Sequence, residues 1–263
     1  MSLLEIRGLA KRFADHTVLE HVSFDVAAGE IVALIGASGS GKSTLLSILT
    51  GALAPDAGEI RFDGAPLAQQ GRPFAYMPQR DALLPWRRVV ENASIGLEVQ
   101  GVPSREAHRR VRSLIEPFGL AGAERRYPRQ LSGGMRQRVS FLRTVVQDRP
   151  ILLLDEPFGA LDAITRDELQ RWLLDMWRDT GWTIVCITHD IREAVRLADR
   201  VLVLPATPGP FVGEVEVSRD IPRDDGLLTD PRVPPLEAQL HAMLRATDYA
   251  SRSNDASRSN PIA

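Results

Sequence analysis

The stretch LIGASGSGKSTLL, residues 34–46, decides how the rest of the chain reads. It carries Lys42, one of only two lysines in a chain with thirty arginines. A planar guanidinium is too broad for a tight ring of backbone amides, whereas a compact ammonium on a flexible stem can enter it. Gly36 to Ser43 fits G-x-x-x-x-G-K-[ST], and it lies between an apolar strand, IVALIG, and a helical pattern, KSTLLSILTGAL. That context is the one in which the motif cradles phosphate. Gly36, Gly39 and Gly41 let the backbone curl so that successive N–H groups converge, and the helix start adds its positive dipole end. The candidate phosphate contacts are therefore Gly36, Ala37, Ser38, Gly39, Ser40, Gly41, Lys42, Ser43 and Thr44, with the Ser43 hydroxyl set to ligate Mg²⁺. A dinucleotide fingerprint is excluded, because GSGKST lacks the last glycine of G-x-G-x-x-G.

Outward from this loop, LLEIRGL and VLEHVSFDV read as strands before it, and ILLLDEP and TIVCITHD read as buried strands after it. The helical pattern ITRDELQRWLLDMWRDTG lies between those last two. Such alternation predicts an α/β fold with a mainly parallel sheet. Residues 86–146 are mostly helical in pattern and read as an inserted subdomain. After Pro205, proline and glycine become frequent, with one more strand candidate in GEVEVS. The terminus repeats ASRSN twice and has little to bury, so residues 248–263 read as a disordered tail.

ILLLDEP sets Asp155 and Glu156 at the carboxyl end of a buried strand, where α/β proteins bind ligands. Neighbours on a strand point to opposite sides, which gives the two carboxylates separate tasks. Asp155 is the expected Mg²⁺ ligand, and Glu156 the group that polarises an attacking water.

Composition narrows the class. With 44% hydrophobic and 25% charged residues the chain can bury a sizeable core, and a formal net charge of -2 gives no global attraction to nucleic acid. The single cysteine, Cys186, can form no internal disulfide and reads as a buried strand residue compatible with a reducing compartment. No run approaches the roughly 18 to 20 apolar residues of a membrane span. The early charges of MSLLEIRGLAKRF do not fit a signal peptide. Any membrane part must come from another chain.

LSGGMRQR, Leu131 to Arg138, opens a further helix, with Ser132 as a good N-cap and two glycines leaving amides uncovered. The order of phosphate loop, helical insert, LSGG and LLLDEP resembles the ATP-binding cassette family over roughly residues 3–205. The resemblance implies a P-loop NTPase (RecA-like) core with an N-terminal antiparallel β subdomain and an inserted helical subdomain. It also extends to Gln79 in MPQRD, which the family uses as a glutamine loop and a metal contact. Asp162 in GALD matches the loop after the catalytic glutamate, His189 in ITHD the switch histidine, and Phe13 in KRFADHTVL the aromatic that stacks on adenine. Catalytic roles thereby fall to Glu156, His189, Gln79 and Lys42. In the family, LSGG of one subunit closes on ATP held by another, so Ser132, Gly133 and Gly134 would complete a partner's site. Met135 departs from the family's usual glutamine, and that side chain's polar contact is not carried over.

LLPW, LSGGMRQR and DEPFGALDA together look like the ATPases of nitrate, sulfonate and taurine importers, a branch that includes carriers of pyrimidine precursors of thiamine. The resemblance implies a homodimer on the cytoplasmic face of the membrane, bound to permease subunits and served indirectly by a solute-binding protein. Trp86 and its leucines are a candidate docking surface, though packing of the helical subdomain accounts for them equally well. Two other readings compete. A soluble cassette ATPase working on nucleic acid or ribosomes would carry a coiled-coil insertion or a second cassette, and neither is present. A small-molecule kinase leaves LSGG and His189 without a purpose.

Overall fold

The computed structural model describes residues 2–258. In chain order it comprises β1 (Ser2–Phe13), β2 (His16–Ala27), β3 (Ile31–Gly36), α1 (Lys42–Leu49), β4 (Ala57–Phe62), β5 (Ala65–Pro66), β6 (Phe74–Met77), α2 (Val89–Val99), α3 (Ser104–Leu114), α4 (Gly133–Val145), β7 (Ile151–Asp155), α5 (Ala163–Thr180), β8 (Thr183–Ile187), α6 (Ile191–Leu197), β9 (Arg200–Leu204), β10 (Gly213–Glu216) and α7 (Val233–Arg258). Short 3₁₀ turns join some of them.

The apolar runs that lack polar alternation become the centre of a six-stranded sheet, in the order β10-β9-β3-β8-β7-β6. Its strands from β9 to β6 pair in parallel. Strand geometry divides each run between two cores. Ile31, Ala33 and Ile35 of β3 face one side with Leu152 and Leu154 of β7, while Val32 and Leu34 face the other with Ile151 and Leu153. The first side is covered by apolar faces of α2 to α6. The second is covered by α1 and by a four-stranded antiparallel sheet, order β2-β1-β4-β5, through residues such as Ile6, Val22 and Phe24. Each fully buried leucine or isoleucine contributes about 1.5–3 kcal/mol, so every strand of the parallel sheet stabilises both cores.

Local signals set the helix limits that matter for the site. Ser132 caps α4, its hydroxyl accepting from the Met135 N–H at 3.2 Å, and Asp162 caps α5, accepting from the Thr165 N–H at 3.1 Å. Gly181, at φ 66, ends α5 in the left-handed turn typical of a helix stop.

The region after Pro205 is part of this architecture. Strand β10 pairs antiparallel with β9 at the sheet edge. Arg223 is buried and donates to the Ala198 carbonyl at 2.8 Å and to Asp199 Oδ1 at 3.2 Å. Helix α7 packs against α6, β9 and β10. It runs on to Arg258. Residues 259–263 of the expected tail lie outside the described residues.

Candidate functional site

The phosphate loop joins β3 to α1. Gly41 sits at φ 93 as the N-cap of α1, and a Cβ there would stand 2.6 Å from Leu19 Cδ2. Only glycine meets both demands. No side chain caps α1, which leaves its first amides to a ligand. Lys42 is 9% exposed. Its ammonium donates to the carbonyls of Gly36 and Ala37, each at 2.8 Å, and to Ser40 Oγ at 3.2 Å. Burial lowers the Lys42 pKa, while Glu156 and Asp155 oppose that shift. The loop carbonyls thus take up donors that a phosphate would otherwise receive. Ser38, Gly39 and Ser43 are exposed, and Ala37 and Thr44 half-buried.

Asp155 is the last residue of β7, half-buried, and burial raises its carboxyl pKa, with the Tyr76 hydroxyl lowering it and the Glu156 charge raising it. Glu156 lies beyond the strand, at φ 45, an uncommon backbone state for a non-glycine residue. Strand alternation therefore does not separate the two carboxylates, as the sequence reading has it. A left-handed turn does, while the Glu156 N–H still reaches the Ile187 carbonyl at 2.8 Å. The turn presents Glu156 between two side chains from other loops. Gln79 Nε2 donates to Glu156 Oε2 at 2.7 Å, and His189 Nδ1 lies 3.3 Å from Glu156 Oε1. The His189 side chain is 65% exposed, so it can turn toward a ligand without losing buried contacts.

Tyr76 is a site residue that the sequence reading misses. Its hydroxyl donates to Asp155 Oδ2 at 3.1 Å, and its own pKa is pushed up to about 12, chiefly by burial and by the adjacent carboxylate. The only hint in sequence is a polar-tipped aromatic three residues before Gln79. Glu193 is another. Burial, as the largest cause, pushes its carboxyl up to about 7, with the Thr188 hydroxyl lowering it. It stands in the first turn of α6, directly after the loop carrying His189.

The remaining nominated residues lie elsewhere. Phe13 ends β1 and is 46% exposed, with the Lys11 ammonium 5.6 Å from its ring centroid. Ser132 is exposed at the tip of α4. Gly134 packs closely beside α5, where a Cβ would approach Thr165 Cγ2 to 2.8 Å, so the tip and the loop with Asp162 are neighbours. Asp162 is kept ionised below the usual carboxylate range, first by the Thr165 N–H. Among the described residues, no hydrogen bond or ion pair joins Ser132, Gly133, Gly134 or Asp162 to Lys42, Asp155, Glu156 or His189. Trp86 is 70% exposed, whereas Leu83 packs on the core.

A divalent cation fits the first group. Asp155 is a half-buried carboxylate whose pKa burial raises, and Ser43, on the phosphate loop, offers an exposed hydroxyl. Among the described residues, no three His, Cys, Asp or Glu side chains form a metal cluster.

Comparison with known proteins agrees with this geometry. The family model described as ABC transporter matches residues 19–159. The taurine import ATP-binding protein TauB of Burkholderia pseudomallei is 48% identical over 77% of this chain and 78% of its own length. The formylaminopyrimidine import ATP-binding protein ThiZ of Halalkalibacterium halodurans is 44% identical, over 78% and 80%. The aliphatic sulfonates import ATP-binding protein SsuB 2 of Xanthomonas axonopodis pv. citri is 40% identical, over 93% and 80%. Among solved structures, the dimeric bacterial ABC transporter cassette MJ0796 superposes with a TM-score of 0.70 at 27% identity, over 82% of this chain and 99% of that one. A post-hydrolysis form of the same cassette, bound to ADP and Pi, matches equally. A phosphate loop beside paired carboxylates, with relatives of this identity over three quarters of the chain, leads to one conclusion: the chain belongs to the ABC transporter family and is an ATP-hydrolysing cassette.

Proposed function

We propose that this chain powers a membrane importer of the sulfonate and taurine type, with nitrate and a thiamine-precursor pyrimidine as the other solutes of that branch. The observation that carries the reading is the pairing of a hydrolytic group with a serine–glycine helix tip, led by exposed Ser132, that stands apart from it. Glu156 is held between Gln79 and His189 beside buried Lys42, while among the described residues no hydrogen bond or ion pair links Ser132 to Gly134 with that group. Two copies arranged head to tail would supply each tip to the other's phosphate loop. The names of the relatives, all import ATP-binding proteins, favour this over a nucleic-acid or ribosome function.

On this reading Phe13 stacks on adenine, and Lys42 exchanges its loop carbonyls for phosphate oxygens. The amides of residues 37–41 and the α1 dipole support the same charge. Ser43, Asp155 and Gln79 would hold Mg²⁺, which supplies charge neutralisation at the phosphate oxygens. Tyr76 fixes the Asp155 carboxylate. Glu156 accepts a proton from the attacking water, and His189 holds Glu156 in position. The partner's tip excludes bulk water and adds amide donors around the terminal phosphate, where pre-placed dipoles act most strongly. Asp162 lines the loop beside that tip.

The power stroke needs an outlet. An open groove of about 870 Å³ runs between the carboxyl end of α1, the antiparallel sheet and α2, with Leu53, Leu67, Phe74 and Val99 on its walls. Tyr76 lines it too. It suits a cytoplasmic helix of a permease, with Trp86 nearby in sequence as a further contact. No helix among the described residues is long and apolar enough to cross a membrane, which fits a peripheral subunit. Co-purification with the permease, followed by uptake assays with taurine, alkyl sulfonates, nitrate and formylaminopyrimidine, tests the whole reading. Uptake of none of these, or ATP turnover by strictly monomeric protein, would overturn it.

A further inference from the structure

Helix α4 begins at the serine–glycine tip, and three of its side chains reach the two loops that hold Glu156. Arg136 Nη1 donates at 3.0 Å to the carbonyl of Leu131, the residue before Ser132. Its Nε donates to Asp81 Oδ2 at 3.1 Å. Asp81 stands two residues beyond Gln79, whose amide is bonded to Glu156. Arg143, about two turns along α4, donates to the Asp81 carbonyl at 2.7 Å and to the Ala82 carbonyl at 2.9 Å. Buried Gln137 donates to the carbonyl of Pro157, next to Glu156.

The backbone at the far end is shaped for this grip. Successive carbonyls of extended chain point to opposite sides, yet those of Asp81 and Ala82 accept from one guanidinium. Ala82 achieves it at φ 45, a strained state for alanine that the surrounding bonds maintain. Arg143 is buried enough for desolvation to lower its pKa, opposed by Asp81. Arg136 is the member that spans the gap, with one edge on the tip's backbone and the other on the glutamine loop.

We propose that Arg136 is a positioning residue for hydrolysis, coupling the serine–glycine tip through Asp81 to the Gln79–Glu156 pair of its own chain. A phosphate held by the partner then seats one tip and, through a rigid planar fork, sets the water-activating group of the other site. Lysine is no substitute, because a point charge cannot hold two acceptors in a fixed plane. The inference rests on the two-chain site proposed above.

The test compares the full-length wild type with Arg136→Ala, Arg136→Lys, Asp81→Asn and the Arg136→Ala/Asp81→Asn double variant. Steady-state ATP turnover and binding of a fluorescent ATP analogue are measured. Arg136→Ala is expected to lower kcat roughly 10- to 100-fold, with KM and analogue affinity within about twofold. Arg136→Lys stays slow, and the double variant is no slower than Arg136→Ala, because both changes cut one link. Wild-type kcat in Arg136→Ala, a loss appearing in KM, or losses that multiply in the double variant would each overturn the proposal. If Arg136→Ala does not fold, Arg136→Lys and Asp81→Asn carry the same kcat-against-KM split. Glu156→Gln separates the two ideas. Failure of that variant to dimerise with ATP defeats the two-chain site, whereas dimerisation together with a fast Arg136→Ala defeats only the coupling.

Discussion

Two helix starts in this molecule are proposed to face phosphate, and they differ in what fills them. The start of α1 is enclosed: Gly41 caps it without a side chain, and Lys42 beside it is buried and bonded three times by its own loop. The start of α4 is open, with the exposed Ser132 satisfying the Met135 N–H through its hydroxyl. An enclosed helix start with a buried ammonium is a complete anion site. An exposed one with small residues adds donors to an anion that something else delivers. That contrast is the physical case for two copies acting together, and it can be broken at either end.

The largest expected effect is at the enclosed site. Glu156→Gln should slow hydrolysis roughly 10²- to 10⁴-fold while leaving ATP binding intact and trapping an ATP-bound dimer. Light scattering that finds only monomers with nucleotide bound would contradict the contrast. Lys42→Ala removes a charge-assisted contact of about 2 kcal/mol, roughly thirtyfold in affinity, and equilibrium binding of an ATP analogue checks it. Unchanged affinity would mean that the enclosed start is not the phosphate site.

A third expectation concerns the stability of the enclosed half. The folded pKa of Glu193, about 7, stands above its ordinary value because burial penalises the charge. Its neutral form therefore favours the fold at pH 5, and that contribution disappears as pH rises through about 7. Glu193→Gln cannot ionise, so it should match the wild type at pH 5 and exceed it at pH 8 by about 3 kcal/mol at most. Denaturant melts at the two pH values read the gap, and a gap that shrinks as pH rises contradicts the account.

The smallest effect belongs to the open site. Ser132→Ala loses an N-cap of about 1 kcal/mol and should leave nucleotide affinity of the monomer unchanged while weakening ATP-driven dimerisation in the Glu156→Gln background. Altered affinity in the monomer would show that the tip touches its own chain's nucleotide.

Legibility followed the same division. Lys42 and its loop were readable because every group that shapes the turn is contiguous, from Gly36 to Ser43. Asp155 and Glu156 were readable as a strand end, but strand alternation was the wrong reason for their separation, since φ 45 at Glu156 depends on the loops around it. Tyr76 gave almost no signal, because its partner is 79 positions away. Whether Trp86 is buried could not be read from sequence, and the fold leaves it 70% exposed.

What the sequence by itself determined is the chemistry of contiguous turns and strand ends, along with the layers that hydrophobic runs must form, because these depend on neighbours in the chain. Only the tertiary structure decided which distant groups meet: Gln79 and His189 on Glu156, Tyr76 on Asp155, Arg136 between the tip and the glutamine loop, and β10 at the sheet edge. The reason is one of range. A hydrogen bond needs its partners placed to within a few tenths of an ångström, and across dozens of residues only the packed core fixes position that closely.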